Sequence, residues 1–126
     1  MTTELVAFLR ARLSEDERAA RAVLGAPWVR RGHVASVHAD DADSSRPHGT
    51  PVADCRRIPG GYEHGVALAE HIARHDPARV LAEVEARRAI LDLYESPVQH
   101  GVVGQVLRLL SLPYAGHPNY REEWRP

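Results

Sequence analysis

Apolar residues recur at helical spacing at the start of the chain. Five of them fall on one side of a helical wheel: Leu5, Leu9, Leu13, Ala20 and Val23. This pattern predicts a first helix over Thr3 to Leu24. Gly25 and the following Ala26-Pro27 are typical of a helix end, because glycine adopts the left-handed conformation readily and proline cannot continue a helix. We therefore expect an N-terminal helix within residues 1–25.

The helical period disappears between residues 27 and 60. Three short β-prone stretches occur there, at Trp28-Val29, at Val34 to Val37 and at Pro51 to Ile58. They are separated by Ala39 to Thr50, a stretch rich in Asp, Ser, Pro and Gly that is typical of turns. The sequence predicts a small β region here, with two or three short antiparallel strands around a mobile loop.

Helical periodicity returns over residues 62–112 and predicts three more helices. We place them at Glu63 to His75, at Pro77 to Tyr94 or Glu95, and at Val102 to Leu112. Asp76-Pro77 is a strong start signal, and Ser96-Pro97 and Pro113 are stop signals. The expected apolar sides are Val66, Leu68, Ala69, Ile72 and Ala73 in the first, Val80, Leu81, Val84, Leu91 and Tyr94 in the second, and Val102, Val103, Val106, Leu109 and Leu110 in the third.

These elements predict a mainly helical α+β fold, with about four helices and a small antiparallel β-sheet inserted after the first helix. A length of 126 residues is typical of a single domain, so we interpret residues 1–126 as one domain. Residues 113–126 contain Gly, Pro and Asn among their aromatics, and we expect them to form an extended aromatic tail.

Composition excludes several classes of protein. No apolar run is long enough to cross a bilayer, so we expect no membrane association of that kind. A net charge of −1 makes nucleic acid an improbable partner. A lone cysteine, Cys55, cannot form an internal disulfide, and with no secretory signal in view we expect a cytoplasmic protein. No nucleotide-binding or hydrolase motif occurs, so we assign no catalytic residue and no cofactor.

Four blocks of the sequence resemble a known family. They are ELVAFLRARLSEDERAAR, GAPW, HIARHDPARVLAEVEARRAILDLY and LRLLSLPYAGHPNYREEWRP, which cover both ends and the middle of the chain. They resemble a family of small actinobacterial and actinophage proteins catalogued as a domain of unknown function, family 6221. The resemblance implies an actinobacterial, phage or mobile-element source, and it brings no activity, cofactor or catalytic residue.

His71 and His75 are the candidate metal ligands. Their spacing of four residues places both rings on one side of a helix, as in the HExxH zinc motif. Ile72 stands where that motif has its glutamate, and no third ligand is implied by the spacing. The alternative is that both are ordinary surface histidines.

Arg30, Arg31, Arg56 and Arg57 are a candidate anion patch. If the strands before them are neighbours in the sheet, the two arginine pairs lie side by side and can bind phosphate or an acidic partner. Exposed arginines without a ligand are the alternative. All 16 basic residues are Arg, which anion binding or the codon usage of a GC-rich genome would explain.

Two charged residues fall on the apolar sides of their helices. Asp16 lies in the first helix and Arg87 in the third, and each needs a partner if it is buried. The two side chains pair with each other if these helices pack together. The alternatives are the local pairs Arg12–Asp16 and Glu83–Arg87.

The C-terminal tail holds three of the seven aromatic residues, Tyr114, Tyr120 and Trp124. Three alternatives are open. These side chains dock on their own domain, they reach a second copy or another protein, since such residues dominate binding hot spots, or the tail is disordered. We therefore expect a small non-enzymatic interaction or accessory protein that binds a protein partner or itself. The alternative is a metal- or anion-dependent enzyme or regulator that uses His71 and His75.

Overall fold

The computed structural model describes residues 2–23, 27–32, 34–95 and 100–126. Within these ranges lie four α-helices and three β-strands: α1 (Thr2–Arg21), β1 (Trp28–Val29), β2 (Ser36–Ala39), β3 (Pro51–Asp54), α2 (Gly61–Arg74), α3 (Pro77–Glu95) and α4 (His100–Ser111). The mainly helical α+β fold with its small inserted sheet is confirmed. The predicted stop signals at Gly25-Ala26 and Ser96-Pro97 lie outside the described residues.

The chain divides into two compact units. The terminal unit consists of Met1–Ala19 and Leu81–Pro126, and the central unit of Ala20–Val80. The interpretation of residues 1–126 as one domain stays a prediction. No helix in the described ranges combines the length and the apolar character that crossing a membrane requires.

In the terminal unit, α1 buries the side that its periodicity predicts. Leu5, Leu9 and Leu13 are buried, and so is Ala20, which belongs to the central unit. Val23 is exposed, so its placement on the buried side is wrong. The reason is that α1 ends at Arg21, before the helical period reaches Val23.

The central unit is built on the three-stranded sheet, whose strands are antiparallel in the order β1-β2-β3. Val37 of β2 and the adjacent Ala35 pack with Cys55 and with Ala69 of α2 in its core. Gly65 of α2 belongs to this contact, because a Cβ atom there would lie 2.3 Å from the carbonyl oxygen of Cys55. Only glycine allows the helix to approach the end of β3 this closely. Cys55 is thus a buried core residue.

Local start signals place α2 and α3 close to their predicted bounds. The Asp76 carboxylate accepts a hydrogen bond from the backbone N–H of Arg79 at 2.9 Å, which is the expected N-cap of α3. Leu68 of α2 is exposed, so its assignment to the buried side of that helix is wrong. Gly65 and Ala69 are the buried residues of α2, because small side chains allow the sheet to approach the helix.

The tail is compact, and its predicted extended form is wrong. It forms 3₁₀ turns at Leu112–Tyr114 and Glu122–Trp124. Backbone hydrogen bonds between residues three apart recur through the segment, from Ala115 to Leu112, from His117 to Tyr114, from Tyr120 to His117, from Trp124 to Arg121 and from Arg125 to Glu122. The turn residues that interrupt the aromatics therefore fold the tail back on itself instead of extending it.

Candidate functional site

The aromatic residues of the tail pack against α1 around Phe8. The ring centre of Phe8 lies 4.9 Å from that of Trp124, 6.1 Å from Tyr120 and 6.4 Å from Tyr114. Trp124 is 2% exposed. The structure therefore shows the first of the three alternatives for the tail, docking on its own chain. The three side chains contact α1 within the terminal unit.

Arg12 of α1 lies beside Phe8 in this aromatic cluster and is only 7% exposed. Its guanidinium carbon lies 5.2 Å from the ring centre of Phe8, a cation–π contact. It donates a hydrogen bond to Glu15 at 2.8 Å and lies within 2.8 Å of the Nδ1 atom of His117. These contacts give the buried charge of Arg12 its partners on the apolar side of α1.

Asp16 and Arg87 meet through the hydroxyl of Tyr114. That hydroxyl donates to the Asp16 carboxylate at 2.5 Å and accepts from Arg87 at 3.5 Å. Arg87 also donates to Glu83 at 3.4 Å, as the local alternative predicts, whereas Arg12 pairs with Glu15 instead of Asp16. The predicted cross-helix pairing is therefore indirect, with a tyrosine between the two charges.

Helix α4 carries an apolar stripe, most of which the sequence places on its buried side. The α4 stripe consists of Val102, Val106 and Leu109, which belong to the predicted apolar side, and of Leu112, the first residue after the helix. Val102 is 77% exposed and Leu109 is 51% exposed, so their placement on the buried side is wrong. Two further residues belong to the predicted apolar side. Leu110 is half-buried, and the side chain of Val103 lies outside the described residues.

The side of α4 that packs into the terminal unit is defined by Leu107 and Ser111, both fully buried. Ser111 fits there because its hydroxyl donates to the carbonyl of Arg108 at 2.6 Å, which satisfies it without a partner from another element. Helix α4 thus has a narrow buried side, with Val102 and Leu109 on the outside and Val106 and Leu110 half-buried.

In the central unit, the second side of the sheet is open. Ser36 and His38 of β2 alternate with Ala35 and Val37 of the core and line a cavity of about 600 Å³, with Ser36 buried and His38 half-buried. Val34, Val52 and Pro51 supply apolar parts of its wall. The ring of His48 lies 6.2 Å from that of His38 at the same cavity.

The arginine patch is only partly assembled. Its residues follow β1 and β3, which are opposite edges of the sheet, so the prediction that they follow neighbouring strands is wrong. Arg31 and Arg56 nevertheless line the same cavity. Arg57 is exposed.

Three of the four arginines are bound to carboxylates within the central unit. Arg30 donates to Glu70 at 3.0 Å, Arg31 pairs with Asp40, and Arg56 pairs with Asp54 at 2.7 Å. The hydrogen bonds from Arg56 hold the pKa of Asp54 far below its usual range. The patch is therefore largely neutralised by its own chain, which leaves little positive charge for an anion.

His71 and His75 lie together at the end of α2. Their ring centres are 4.3 Å apart, as their spacing predicts. The Nδ1 atom of His75 is 2.8 Å from the backbone carbonyl of His71, so this nitrogen carries the proton and is the donor. No group of three or more potential metal ligands occurs among the described residues.

A family model described as a family of unknown function, DUF6221, matches residues 2–126 of the chain. The chain belongs to this family. No curated protein and no solved structure is significantly similar to it. Membership in DUF6221 confirms the family resemblance of the sequence, and the description of the family names no activity or ligand.

The sequence alone did not identify Phe8, Arg12 and His117 as members of the aromatic cluster around the tail. A signal for Arg12 exists, because it lies seven residues after Leu5 and three after Leu9, within the apolar side of α1. A basic residue at such a position requires partners. No comparable signal marks His117, since its position depends on how the tail turns.

Proposed function

We propose that this member of DUF6221 is a small non-enzymatic interaction protein, and that the α4 stripe is its contact surface. The observation that carries the proposal is the exposure of Val102 and Leu109, on a helix whose packed side is narrow. An amphipathic helix that leaves its apolar side uncovered is typical of a helix that binds another protein.

A second copy of the chain is the partner that the α4 stripe fits best. Its spacing matches the ridges by which helices pack side by side. Arg108 is the one Arg, Lys, Asp or Glu residue in α4, so the helix has no charge pattern that selects an oppositely charged partner. A self-complementary apolar surface suits a two-fold interface, in which both copies contribute the same residues.

The carboxylate at the open side of the sheet is unsuited to acid–base catalysis. Asp54 lines the cavity there and stays ionised because Arg56 binds it. A general acid or base needs a pKa near the working pH, which such a carboxylate lacks. This argues against Asp54 as the acid or base of a reaction in this cavity, which agrees with the proposal of an interaction protein.

A metal- or anion-dependent enzyme or regulator that uses His71 and His75 is the alternative. The short distance between the two rings favours it. The commitment of the Nδ1 atom of His75 to a backbone carbonyl leaves two ligands at most, which is fewer than a zinc site uses. Stoichiometric zinc in the purified protein that is lost in His71→Ala would favour this alternative.

We further propose that the protein acts in the cytoplasm and comes from an actinobacterial phage or mobile element. The single buried thiol of Cys55 supports the reducing compartment. The use of Arg at all 16 basic positions supports a GC-rich source.

Matched substitutions on two exposed leucines of the terminal unit test the proposed contact. Leu109 lies in the α4 stripe, and Leu93 of α3 is exposed to a similar extent, at 59%. By sedimentation velocity we expect the wild type to associate with rising concentration, Leu109→Glu to remain a monomer, and Leu93→Glu to behave as the wild type. A charge buried in an apolar interface accounts for this loss. A monomeric wild type, or Leu109→Glu that still associates, would overturn the proposal.

A further inference from the structure

The cavity on the open side of the sheet lies wholly within the central unit. All of its lining residues fall within residues 31–56, a range that contains β2, β3 and the loop between them. Its volume of about 600 Å³ is in the range of pockets that take up small molecules. We call this feature the sheet cavity.

Apolar side chains form much of the wall of the sheet cavity. Val34 is 48% exposed, and Pro51 and Val52 of β3 line the same cavity. Val52 and Ala53 also pack against the core of the central unit, so this part of the wall is fixed by the fold before a ligand enters. An apolar molecule in the cavity would cover surface that otherwise contacts water, which is favourable.

The hydroxyl group of Ser36 is a buried polar group that faces this apolar wall without a partner. Ser36 is 6% exposed and lines the cavity, and within the described ranges its hydroxyl makes no hydrogen bond. The described side-chain atoms that lack both a partner and accessible surface are Arg12 Nε, the Tyr120 hydroxyl oxygen and Trp124 Nε1. The Ser36 hydroxyl is not among them, so a ligand in the cavity can reach it.

Two imidazole rings add further polar groups to the sheet cavity. His38 lies two residues after Ser36 in β2, and the ring centre of His48 lies 6.2 Å from that of His38. Neither ring makes a hydrogen bond in the part of the chain that the structure describes. A neutral imidazole offers one donor and one acceptor, and a serine hydroxyl can act as both. A ligand group that serves all three side chains therefore donates and accepts, as a hydroxyl or an amide group does.

The charged residues of the sheet cavity favour a ligand without charge. Arg31 is paired with Asp40, and Arg56 with Asp54, which itself lines the cavity. An anion would compete with these carboxylates for the guanidinium groups, and a cation would be repelled by the same groups. An uncharged ligand leaves both ion pairs intact.

We propose that the sheet cavity binds an uncharged small molecule with an apolar body and a hydroxyl or amide group. The polar group of the ligand binds Ser36, His38 and His48, and its apolar body packs against Val34 and Val52. This binding site is a second function of the chain besides the proposed contact through the α4 stripe, and it does not depend on that contact.

Four derivatives of one methylbenzene ring test the proposal. In carbon–proton correlation spectra, we expect p-cresol, 4-methylbenzamide or both to shift the methyl signals of Val34 and Val52 saturably, while those of Leu93 remain constant. Toluene lacks the polar group, and it should bind about fivefold more weakly, as for the loss of one hydrogen bond. 4-Methylbenzoate should also bind more weakly, because its charge must leave water without gaining a free cation. Comparison of p-cresol with 4-methylbenzamide shows which polar group the site prefers.

Removal of the buried hydroxyl is the second arm of the test. We expect Ser36→Ala to weaken binding of the preferred probe about fivefold. Without a probe its melting temperature should not fall, because the hydroxyl it lacks has no partner to lose. His38→Phe keeps a ring but removes its donor and acceptor, and it should weaken binding as well. Ser44→Ala, at an exposed serine in the loop between β2 and β3, is the matched control and should bind as the wild type does.

The wild-type titrations decide the proposal even if a variant fails to fold. No saturable shift with p-cresol or 4-methylbenzamide, equal or tighter binding of toluene or 4-methylbenzoate, or wild-type affinity in Ser36→Ala would overturn it. Leu109→Glu changes the terminal unit and should leave the titrations unchanged, so failure of the proposed α4 contact and failure of this site are distinguishable.

Discussion

The hydroxyl group of Tyr114 joins two charged residues of different helices, and its own pKa is changed by that position. It donates to Asp16 and accepts from Arg87, and it lies partly out of water. Burial, together with the neighbouring Asp16 carboxylate, raises the pKa of Tyr114 to about 12. An ionised tyrosine at this position would lose its hydrogen bond to Asp16 and repel it.

This raised pKa predicts a loss of stability at high pH. The unfolded chain releases the Tyr114 proton near pH 10, and the folded chain retains it to about pH 12. The stabilisation is therefore complete below about pH 10 and lost as the pH rises through 12. In urea unfolding between these values, the free energy of unfolding should fall more steeply for the wild type than for Tyr114→Phe. The exposed-residue control Tyr62→Phe should keep the wild-type slope, and equal slopes for all three would contradict the assignment.

Replacement by alanine should have opposite effects on stability at two helical glycines. At Gly65 a Cβ atom would meet the Cys55 carbonyl oxygen at 2.3 Å, whereas at Gly104 of α4 nothing lies within 4 Å. Gly65→Ala should lower the free energy of unfolding by about 1–3 kcal/mol because α2 must move off the sheet. Gly104→Ala should raise it by up to about 1 kcal/mol through helix propensity. Thermal and urea unfolding measure both, and a neutral Gly65→Ala would contradict the close approach.

At the scale of elements, the tail is a structural part of the terminal unit. Trp124 packs beside Phe8, on a stretch of chain whose backbone hydrogen bonds join residues of the tail to one another. Burial of a tryptophan is worth a few kcal/mol, which is enough to hold a short segment of turns in place. The tail therefore completes a core of the terminal unit whose largest fully buried side chains are Leu9, Leu13, Leu91 and Leu107.

Truncation of this side chain tests that role. Trp124→Ala should destabilise the protein by about 3–5 kcal/mol in urea unfolding, the usual cost of removing a buried aromatic side chain. Tyr62→Ala removes an exposed aromatic residue and should change the free energy of unfolding by less than about 0.5 kcal/mol. A Trp124→Ala variant as stable as the Tyr62→Ala control would show that the tail does not support the core.

Elements with local signals were predictable, and those without were not. Asp76-Pro77 marks the start of α3 in the sequence, and the structure begins that helix at Pro77. The periodicity of α4 predicts an apolar side correctly. It does not predict whether other elements pack against that side, because this depends on the rest of the fold. The docking of the tail on Phe8 depends on contacts between residues more than one hundred positions apart, which no local pattern specifies.

At the scale of the whole molecule, the chain combines a small sheet-based unit with a helical unit that keeps an apolar helix surface uncovered. The charged groups around the sheet are paired within the chain, and the aromatic tail is engaged with α1. The α4 stripe is thus the described apolar surface with the strongest reason to bind a partner, and self-association through it is the central claim about this protein.

Methyl resonances of the α4 stripe test this claim most directly. Spectra recorded between about 10 μM and 1 mM protein cover the range in which weak association becomes visible. We predict that the methyl signals of Val102, Val106, Leu109 and Leu112 shift together with concentration, while those of the exposed Leu93 remain constant. Stripe signals that stay unchanged over the whole range would contradict self-association through α4.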